Sequence, residues 1–446
     1  MIGIGGIGMS ALAKYFLALG KEVAGYDRVS TSLTSQLGKK GARIHFEEKP
    51  DQVKKDYSKP GETLVIFTPA VSSDHTELVY FRQNGFEVLK RSEVIGEIAK
   101  NQKCIAVAGT HGKTTVSTLI AHLLTTAGIS CSAFLGGISK NFNTNAVISR
   151  SSEWIVVEAD EFDRSFLRLY PDCAVITSCD PDHLDIYGDM GALQSAFRQF
   201  INQVKKGGNI LIRKDIEILA SGREDTAVFT YSLESGADFC VSIRKLTGGE
   251  YHFDLDTPAG TISGLRTILP GYINVENAVA AAATGYLLGV DKDLIAKAIR
   301  TFSGVKRRFD VHINREDVVY IDDYAHHPKE LESFIGSVRK LYPGRKVTGI
   351  FQPHLYTRTR DFADGFARSL SELDELILLD IYPARELPIP GITSEIIFKK
   401  VSSGNKILCS RENLMTELQG RHPDILLTMG AGDIDQFIEP IIKMLS

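Results

Sequence analysis

The sequence has few of the features that mark a membrane, secreted or nucleic-acid-binding protein. No apolar stretch is long enough to span a bilayer, so we expect no membrane insertion. The 51 basic residues are matched by 55 acidic ones, and a net charge of −4 gives no general attraction to nucleic acid. We find no signal-peptide pattern, because the first residues already form a glycine-rich turn.

Cysteine is also scarce, with six residues in a chain of 446. The cysteines form no C-x-x-C pair and no metal-ligand spacing, and most of them lie in apolar runs. These features favour reduced, buried thiols in a cytoplasmic protein. The length predicts two to four domains, each large enough to bury its own core.

A short glycine turn lies between an apolar strand at 105–108 and a helical pattern at 114–124. The turn consists of Gly109, Thr110, His111, Gly112, Lys113, Thr114 and Thr115. Backbone N–H groups of such a turn, together with a helix N-terminus, favour phosphate oxygens. Lys113 adds a positive charge, and the Thr114 hydroxyl can reach Mg²⁺. Although it is shorter than the usual phosphate-loop pattern, the turn predicts a nucleotide-phosphate site.

The N-terminus has a second glycine turn with the order strand, turn, helix, strand. Gly3, Gly5 and Gly8 fit G-x-G-x-x-G, and Asp27 ends the second strand, where it can reach a ribose hydroxyl. The pattern alone does not distinguish NAD from another ligand with a diphosphate and a ribose. Strands at 64–69 and 86–90 complete the domain, which we expect to end near residue 95.

Acidic residues follow a strand of the second predicted domain. The strand predicted at 153–161 has Glu158, Asp160 and Glu161 at its carboxyl end, the edge where open parallel sheets bind ligands. Because Mg²⁺ prefers carboxylate and phosphate oxygens, Glu158 is a plausible ligand and His183 a less usual one. After residue 208, alternating strands at 239–243 and 251–255 predict either a hairpin insertion or an edge of the same sheet.

A loop and an alanine-rich helix follow these strands. Asn274 and Asn277 lie on one face of the first helical turn. Their amides can both donate to and accept from an adenine edge, although Asn274 can equally cap the helix.

In the third predicted domain, as in the second, strands are followed directly by polar residues. It opens with a basic stretch at 305–309, and two of its strands are followed by polar groups at 322–327 and 354–360. These groups lie where a ligand is expected to bind.

Taken together, these motifs resemble those of the Mur ligases, ATP-dependent enzymes that add amino acids to the cell-wall precursor. The resemblance covers the whole chain. Its motifs lie at 3–13, 109–115, 158–161, 182–185, 274–277, 307–309 and 322–328. It implies an α/β fold of three domains: a Rossmann-like UDP-binding domain (1–95), a central P-loop ATPase-type domain (96–303) and a C-terminal Rossmann-like domain (304–446).

The resemblance also implies a role for each matching residue. The UDP substrate would bind Gly3, Gly5, Gly6, Gly8, Ser10, Asp27 and Thr68. ATP would bind the turn from Gly109 to Thr115 together with Asn274, Asn277, Asp323 and His326. Thr114, Glu158 and His183 would surround Mg²⁺, and Lys113, Glu158, His183 and Arg308 would be catalytic. Tyr324, His354 and Arg358 would contact the amino acid, with most weight on Arg358 because Leu355 replaces a residue that is often basic.

Within the family, the sequence is most similar to the branch that joins L-alanine to UDP-N-acetylmuramate, which implies a monomer or weak homodimer without nucleic-acid partners. Four other functions stay open. They are a ligase that recycles tripeptides, a folylpolyglutamate-type synthetase, an NAD-dependent oxidoreductase and a non-enzymatic nucleotide switch. The UDP-type N-terminal motif argues against a folylpolyglutamate-type synthetase, and an NAD-dependent oxidoreductase would leave Lys113 unexplained.

Overall fold

The computed structural model describes residues 1–57, 59–181, 184–220, 224–247, 250–384 and 386–446. By its internal contacts the chain divides into two compact units. The first comprises Met1–Thr247, Tyr251–Ile268 and Val275–Gly304, and the second is formed mainly by Leu269–Asn274 and Val305–Ser446. The domain boundaries expected near residues 95 and 303 stay predictions.

The first unit begins with a small parallel α/β arrangement. Its elements are α1 (Ile7–Ala18), β1 (Ala24–Tyr26), α2 (Ser32–Lys39), β2 (Arg43–His45), α3 (Pro50–Asp56), β3 (Leu64–Phe67), α4 (Thr76–Gln83), β4 (Glu87–Lys90) and α5 (Arg91–Lys100). β1 pairs with β2 and β3 with β4, both in parallel. Ile2 bridges Tyr26 and Phe67, so a single residue lies where the first strand of such a unit is expected.

A ten-stranded sheet forms the centre of the first unit. Its strands and helices are β5 (Lys103–Ala108), α6 (Lys113–Thr126), β6 (Cys131–Ser139), β7 (Thr144–Val147), β8 (Trp154–Ala159), β9 (Cys173–Ile176), α7 (Leu184–Tyr187), α8 (Met190–Asn202), β10 (Asn209–Arg213), β11 (Ala227–Ser232), β12 (Phe239–Thr247), β13 (Glu250–Thr257), β14 (Gly260–Thr267), α9 (Tyr272–Leu287) and α10 (Lys292–Thr301). The strand order is β14-β13-β12-β11-β10-β9-β5-β8-β6-β7. β12 and β13 contain the predicted alternating strands, and β13 pairs in antiparallel fashion with β14, a strand that the sequence analysis did not predict, at one edge of the sheet.

The middle of this sheet is parallel and covered on both faces. β5 pairs in parallel with β8 and β9, and its residues from Cys104 to Ala108 are fully buried. An uninterrupted apolar strand is what such a position requires. The carboxyl ends of β5, β8 and β9 therefore meet at one edge of the sheet.

The second unit is a six-stranded sheet with helices on both faces. Its elements are β15 (Asp310–Asn314), β16 (Val319–Asp323), α11 (Pro328–Leu341), β17 (Val347–Phe351), α12 (Tyr356–Asp361), α13 (Ala363–Leu370), β18 (Glu375–Leu379), α14 (Glu395–Phe398), β19 (Lys406–Cys409), α15 (Leu414–Leu418), β20 (Ile425–Met429) and α16 (Ile438–Leu445). The order is β15-β16-β20-β17-β18-β19, with β15 antiparallel and the other pairs parallel. Two buried apolar clusters form the core of this unit.

The cysteines behave as predicted. All six are free thiols, and only Cys240 is not fully buried. Burial raises the pKa of the Cys104 and Cys173 thiols to about 12, which makes them unreactive at neutral pH. Among the described residues, no helix has both the length and the apolar character needed to cross a membrane.

Candidate active site

The phosphate loop joins the end of β5 to the start of α6. Gly109 (φ +142°) and Gly112 (φ +82°) adopt backbone conformations that favour glycine. Space imposes the same choice, because a Cβ atom at Gly109 would lie 2.2 Å from Thr177 Oγ1. Helix α6 begins at Lys113 without a side-chain cap or an acidic residue in its first turn. Its first N–H groups therefore suit an anion.

The end of β9 holds this loop in shape. The Ser178 hydroxyl accepts from the His111 backbone N–H at 2.7 Å and lies 3.0 Å from Thr110 Oγ1. The Thr177 hydroxyl donates to the carbonyl oxygens of Ala108 (3.2 Å) and His111. No sequence motif assigns a role to Thr177 or Ser178. Their position at the carboxyl end of a strand was the available signal.

Lys113 is held by a buried carboxylate. Its Nζ donates to Glu161 Oε2 at 2.8 Å, to Glu161 Oε1 at 3.0 Å and to the Gly109 carbonyl at 2.6 Å. The Lys113 side chain is 13% exposed and that of Glu161 is 0% exposed. Burial alone would lower the pKa of Lys113, but the charges of Glu161, Asp160 and Glu158 outweigh it and raise the pKa. Lys113 is thus cationic at neutral pH.

Thr114 and Glu158 meet beside the first turn of α6. Glu158 Oε1 accepts from Thr114 Oγ1 at 3.1 Å, and Glu158 Oε2 accepts from the Gly136 N–H at 3.0 Å. A hydroxyl and a carboxylate are the hard oxygen ligands that Mg²⁺ prefers, so these two residues fit the ion. The predicted ligand His183 lies outside the described residues. Among the described residues, no three His, Cys, Asp or Glu side chains cluster to hold a metal.

The N-terminal glycine turn is fixed by the carboxylate predicted to bind ribose. Asp27 Oδ2 accepts from the Gly5 N–H at 2.7 Å, and a Cβ atom at Gly5 would lie 2.8 Å from that oxygen. Gly3 has φ +82°, and a Cβ there would lie 2.6 Å from Thr68 Cγ2. The turn therefore brings Gly3, Gly5, Asp27 and Thr68 together.

Ser10 takes part in a buried network between α1 and β7. It is fully buried and donates to the Ile7 carbonyl at 3.0 Å, while its oxygen accepts from Asn145 Nδ2 at 2.9 Å. Asn145 Oδ1 in turn accepts from Lys14 Nζ at 2.6 Å, and Thr144 Oγ1 accepts from the same amine at 3.1 Å. This network fixes the helix that follows the glycine turn against the central sheet.

A cleft of about 250 Å³ separates the glycine turn from the end of β8. Gly6, Ile7, Gly8, Met9, Thr68, Arg91, Ile95, Phe134, Leu135, Gly136, Val157, Glu158 and Asp160 line it. The start of α1 and the carboxylates Glu158 and Asp160 thus line the same cleft.

The two predicted adenine contacts belong to different units. Asn277, in the first unit, is buried, and a Cβ atom at Gly112 would lie 2.9 Å from its Oδ1. This contact ties α9 to the phosphate loop. Asn274, in the second unit, is also buried, and its Nδ2 donates to the Pro270 carbonyl at 2.6 Å.

In the second unit, a partly buried arginine organises the start of the sheet. Arg307 (φ +63°) pairs with the fully buried Asp322 at 3.1 Å and donates to the Gly430 carbonyl at 2.6 Å. Asp322 also accepts from the Thr428 hydroxyl at 2.7 Å. Both guanidinium groups lie over the Tyr324 ring, that of Arg307 at 5.2 Å and that of Arg308 at 5.0 Å, and Arg308 Nη1 also lies 3.8 Å from Glu330 Oε1.

Asp323 and His326 lie in the loop between β16 and α11. Asp323 Oδ2 accepts from the Phe309 N–H at 2.6 Å and Oδ1 from the Ala325 N–H at 2.7 Å. Burial raises the pKa of Asp323 to about 7, partly offset by the Arg308 charge. Burial also lowers the pKa of His326 to about 4, although Glu330, 3.3 Å away, opposes this. His326 is therefore neutral at physiological pH.

The residues predicted to contact the amino acid gather near this loop. The His354 ring lies 6.0 Å from that of His326 and stacks on Tyr382 at 5.8 Å. Arg358 lies on α12, and its charge helps to lower the pKa of His326. Leu355, just before α12, is buried and has φ +70°. The roles of all these site residues in binding stay predictions.

Three family models match successive parts of the chain. The Mur ligase family catalytic domain matches residues 1–103, the Mur ligase middle domain residues 107–285, and the Mur ligase glutamate ligase domain residues 307–432.

Full-length relatives and solved structures agree with these matches. The UDP-N-acetylmuramate–L-alanine ligase of Parabacteroides distasonis is 51% identical over 100% of this chain and 96% of its own. That of Phocaeicola vulgatus is 48% identical, covering 100% and 97%. The crystal structure of the Thermotoga maritima UDP-N-acetylmuramate-alanine ligase superimposes with a TM-score of 0.84 at 26% identity, covering 100% and 98%. The predicted three-domain α/β fold is thereby confirmed, and the chain belongs to the Mur ligase family.

Proposed function

We propose that this chain joins L-alanine to the lactyl carboxylate of UDP-N-acetylmuramate, with hydrolysis of ATP to ADP and phosphate, in peptidoglycan precursor synthesis. The observation that carries the proposal is 51% identity over the full chain to a ligase named for this reaction. The phosphate loop, with Lys113 beside Thr114 and Glu158, supplies the chemistry that the reaction needs.

The first step transfers a phosphoryl group. A lactyl carboxylate oxygen attacks the γ-phosphorus of ATP, the bond to the β–γ bridging oxygen breaks, and an acyl phosphate and ADP form. Negative charge spreads over the transferring group, and positioned cations stabilise it. Lys113 is cationic and at the phosphate loop, and we assign it this role. Arg308, beside Tyr324, is assigned to the transferred phosphate.

The second step forms the amide bond. The neutral amine of L-alanine attacks the acyl carbon, a tetrahedral intermediate forms, and inorganic phosphate leaves with the bonding electrons while the amine loses a proton. Tyr324, His354 and Arg358 are assigned to the amino acid, with the Arg358 guanidinium as the partner of its carboxylate. Holding three substrates in reactive orientation supplies much of the rate enhancement.

Thr114 and Glu158 would hold a magnesium ion together with phosphate oxygens. When bound, the ion supplies positive charge that neutralises the phosphates. Asp323 and His326 are assigned to the ATP ribose, and Asn274 and Asn277 to adenine. We further propose that the enzyme works in the cytoplasm as a monomer or weak homodimer. It uses two nucleotide substrates, UDP-N-acetylmuramate and ATP, and has no nucleic-acid partner.

The experiment that tests this function is ADP release with UDP-N-acetylmuramate, Mg-ATP and one amine at a time. We expect turnover to be highest with L-alanine, compared with glycine, L-serine or L-alanyl-γ-D-glutamyl-diaminopimelate, and to be lost in Lys113→Ala. If the tripeptide were the only amine that supports turnover, the chain would instead be a ligase that recycles tripeptides. The absence of ADP with every amine would contradict the ligase function.

A further inference from the structure

An ion pair joins the beginning of helix α9 to the central sheet. Arg213 is the last residue of β10, and its Nη1 lies 3.7 Å from Glu276 Oε2. The same guanidinium donates to Asp215, from Nε to Oδ1 at 2.6 Å and from Nη2 to Oδ2 at 2.7 Å. Two parallel hydrogen bonds of this kind fix the plane of the guanidinium, so Asp215 holds Nη1 on the side of Glu276.

The pair is largely removed from water. The Arg213 side chain is 22% exposed and that of Glu276 is 20% exposed. Tyr231, which lies opposite Arg213 in the register of β10 and β11, is buried. Burial raises the pKa of Glu276, and the charge of Arg213 opposes this shift. Removal of Arg213 alone would leave a mostly buried carboxylate without the charge that offsets its burial, which is unfavourable.

Glu276 directly precedes Asn277, which packs against the phosphate loop. A Cβ atom at Gly112 would lie 2.9 Å from Asn277 Oδ1 and 3.5 Å from Thr177 Cβ. β9, which ends one residue before Thr177, pairs in parallel with β10, so both strands end at the same edge of the sheet. A path of contacts within the first unit therefore leads from Arg213 through α9 to the phosphate loop.

We propose that Arg213 and Glu276 are positioning residues that fix the beginning of α9 against the phosphate loop and thereby determine the affinity for the adenine nucleotide. This inference rests on the proposed function, in which Asn277 is assigned to adenine, and it adds two residues to which that function gives no role. Lys113 is held separately, by Glu161, so the phosphoryl-transfer step should be spared.

The test compares Arg213→Met, Glu276→Ala and Arg213→Lys with the wild type in the full-length enzyme. Steady-state ADP release gives kcat and KM, and calorimetry gives the Kd of ADP without turnover. Arg213→Met and Glu276→Ala should each raise the KM for ATP and the Kd of ADP by about 10-fold, because each breaks a mostly buried pair. The kcat and the KM for UDP-N-acetylmuramate should change by less than about 2-fold. Arg213→Lys, which keeps the charge, should lie close to the wild type.

A double variant separates positioning from a general loss of stability. In Arg213→Met/Glu276→Gln the carboxylate becomes a neutral amide that needs no counter-charge, so nucleotide affinity should recover in part from that of Arg213→Met. Thermal unfolding identifies the variants that fold, and if one single variant does not fold, the other decides. A double variant as weak as Arg213→Met would contradict the coupling between the two residues.

The control variant is Arg315→Met, in the second unit. Arg315 also pairs with an aspartate two positions later, Asp317, by contacts of 3.0 and 3.2 Å. It should leave the KM for ATP and the Kd of ADP unchanged. Unchanged nucleotide constants in folded Arg213→Met and Glu276→Ala, equal effects in Arg315→Met, or a loss of kcat alone would overturn the inference. A wild-type enzyme that binds ADP but does not use UDP-N-acetylmuramate would instead contradict the proposed function, and the Kd of ADP would then decide the inference.

Discussion

At the level of single residues, the most consequential pair is Lys113 with Glu161. The carboxylate holds the ammonium group by two contacts of 2.8 and 3.0 Å while the side chains are almost entirely removed from water. A buried lysine without this partner would lose its proton more readily. Glu161 therefore keeps Lys113 charged, as the phosphoryl-transfer role that we propose for this lysine requires.

This predicts different effects for the two partners. Lys113→Ala should lower kcat by about 10²- to 10³-fold, as expected for the loss of a group that stabilises the transition state. Glu161→Gln keeps a hydrogen-bond acceptor but removes the charge, so the pKa of Lys113 should fall. The alkaline limb of the kcat–pH profile should then move to lower pH. An unshifted alkaline limb in an active Glu161→Gln enzyme would contradict this role.

Asp323 gives a prediction about stability. Its pKa is about 7 in the folded protein against an ordinary value of 3.8, so the folded state binds more protons than the unfolded state between pH 4 and 7. The wild type should therefore lose stability relative to Asp323→Asn as the pH rises through this range, by about 2–4 kcal/mol. Urea unfolding at several pH values measures the difference. A constant difference would show that Asp323 ionises normally.

At the level of elements, the start of α6 depends on Gly112. This glycine combines a left-handed conformation (φ +82°) with a Cβ position only 2.9 Å from Asn277 Oδ1. Gly128, at the other end of the same helix, has φ +74° but open space around it. An alanine would adopt a strained left-handed backbone at either position, but only at Gly112 would its Cβ atom also collide with Asn277.

Alanine substitutions can separate these two effects. Both Gly112→Ala and Gly128→Ala should destabilise the protein by about 1–2 kcal/mol, the cost of a left-handed alanine. Only Gly112→Ala should also raise the KM for ATP, because Asn277 and the loop must shift. Thermal unfolding and steady-state kinetics measure the two quantities. Equal KM values in the two variants would show that the contact with Asn277 is unimportant.

Helix α1 contains a buried lysine that predicts a second pH effect. Burial lowers the pKa of Lys14 to about 8, from an ordinary 10.5, so the unfolded state binds more protons between pH 8 and 10.5. The wild type should therefore gain stability relative to Lys14→Met as the pH rises from 8 to 10. Unfolding free energies of both proteins at these pH values provide the test. A difference that falls or stays level would contradict the lowered pKa.

The elements themselves were largely predictable from the sequence, whereas several of their contacts were not. Apolar runs and glycine turns indicated β5, β8, β16 and β17 together with both phosphate-type turns, because these patterns are local. Glu161 lies 48 positions from Lys113, and Ser178 lies 67 positions from His111. Which polar residue at a strand end reaches a neighbouring loop depends on the order of strands in the sheet, and the sequence pattern does not specify that order.

At the level of the whole molecule, the chain consists of two units with separate cores. The second has its own sheet and two apolar clusters, and the first contains the glycine turn, the cleft and the phosphate loop. Because each unit buries its own apolar surface, the units can unfold separately.

Scanning calorimetry should accordingly resolve two transitions. UDP-N-acetylmuramate, whose predicted contacts all lie in the first unit, should stabilise only one of them, by about 2.7 kcal/mol at a concentration of 100 Kd. Residues 305–446 expressed alone should unfold near the temperature of the unaffected transition. A single transition that shifts as a whole would show that the two units unfold as one.

The glycines that line the cleft have a consequence for inhibitor design. At Gly8 an added Cβ would meet Arg91, and at Gly136 it would lie 2.2 Å from the Glu158 carboxylate. A compound packed against these two backbone positions would touch a surface that cannot gain a side chain unless Arg91 or Glu158 moves. Resistance by substitution at either glycine should therefore reduce the fitness of the bacterium that acquires it.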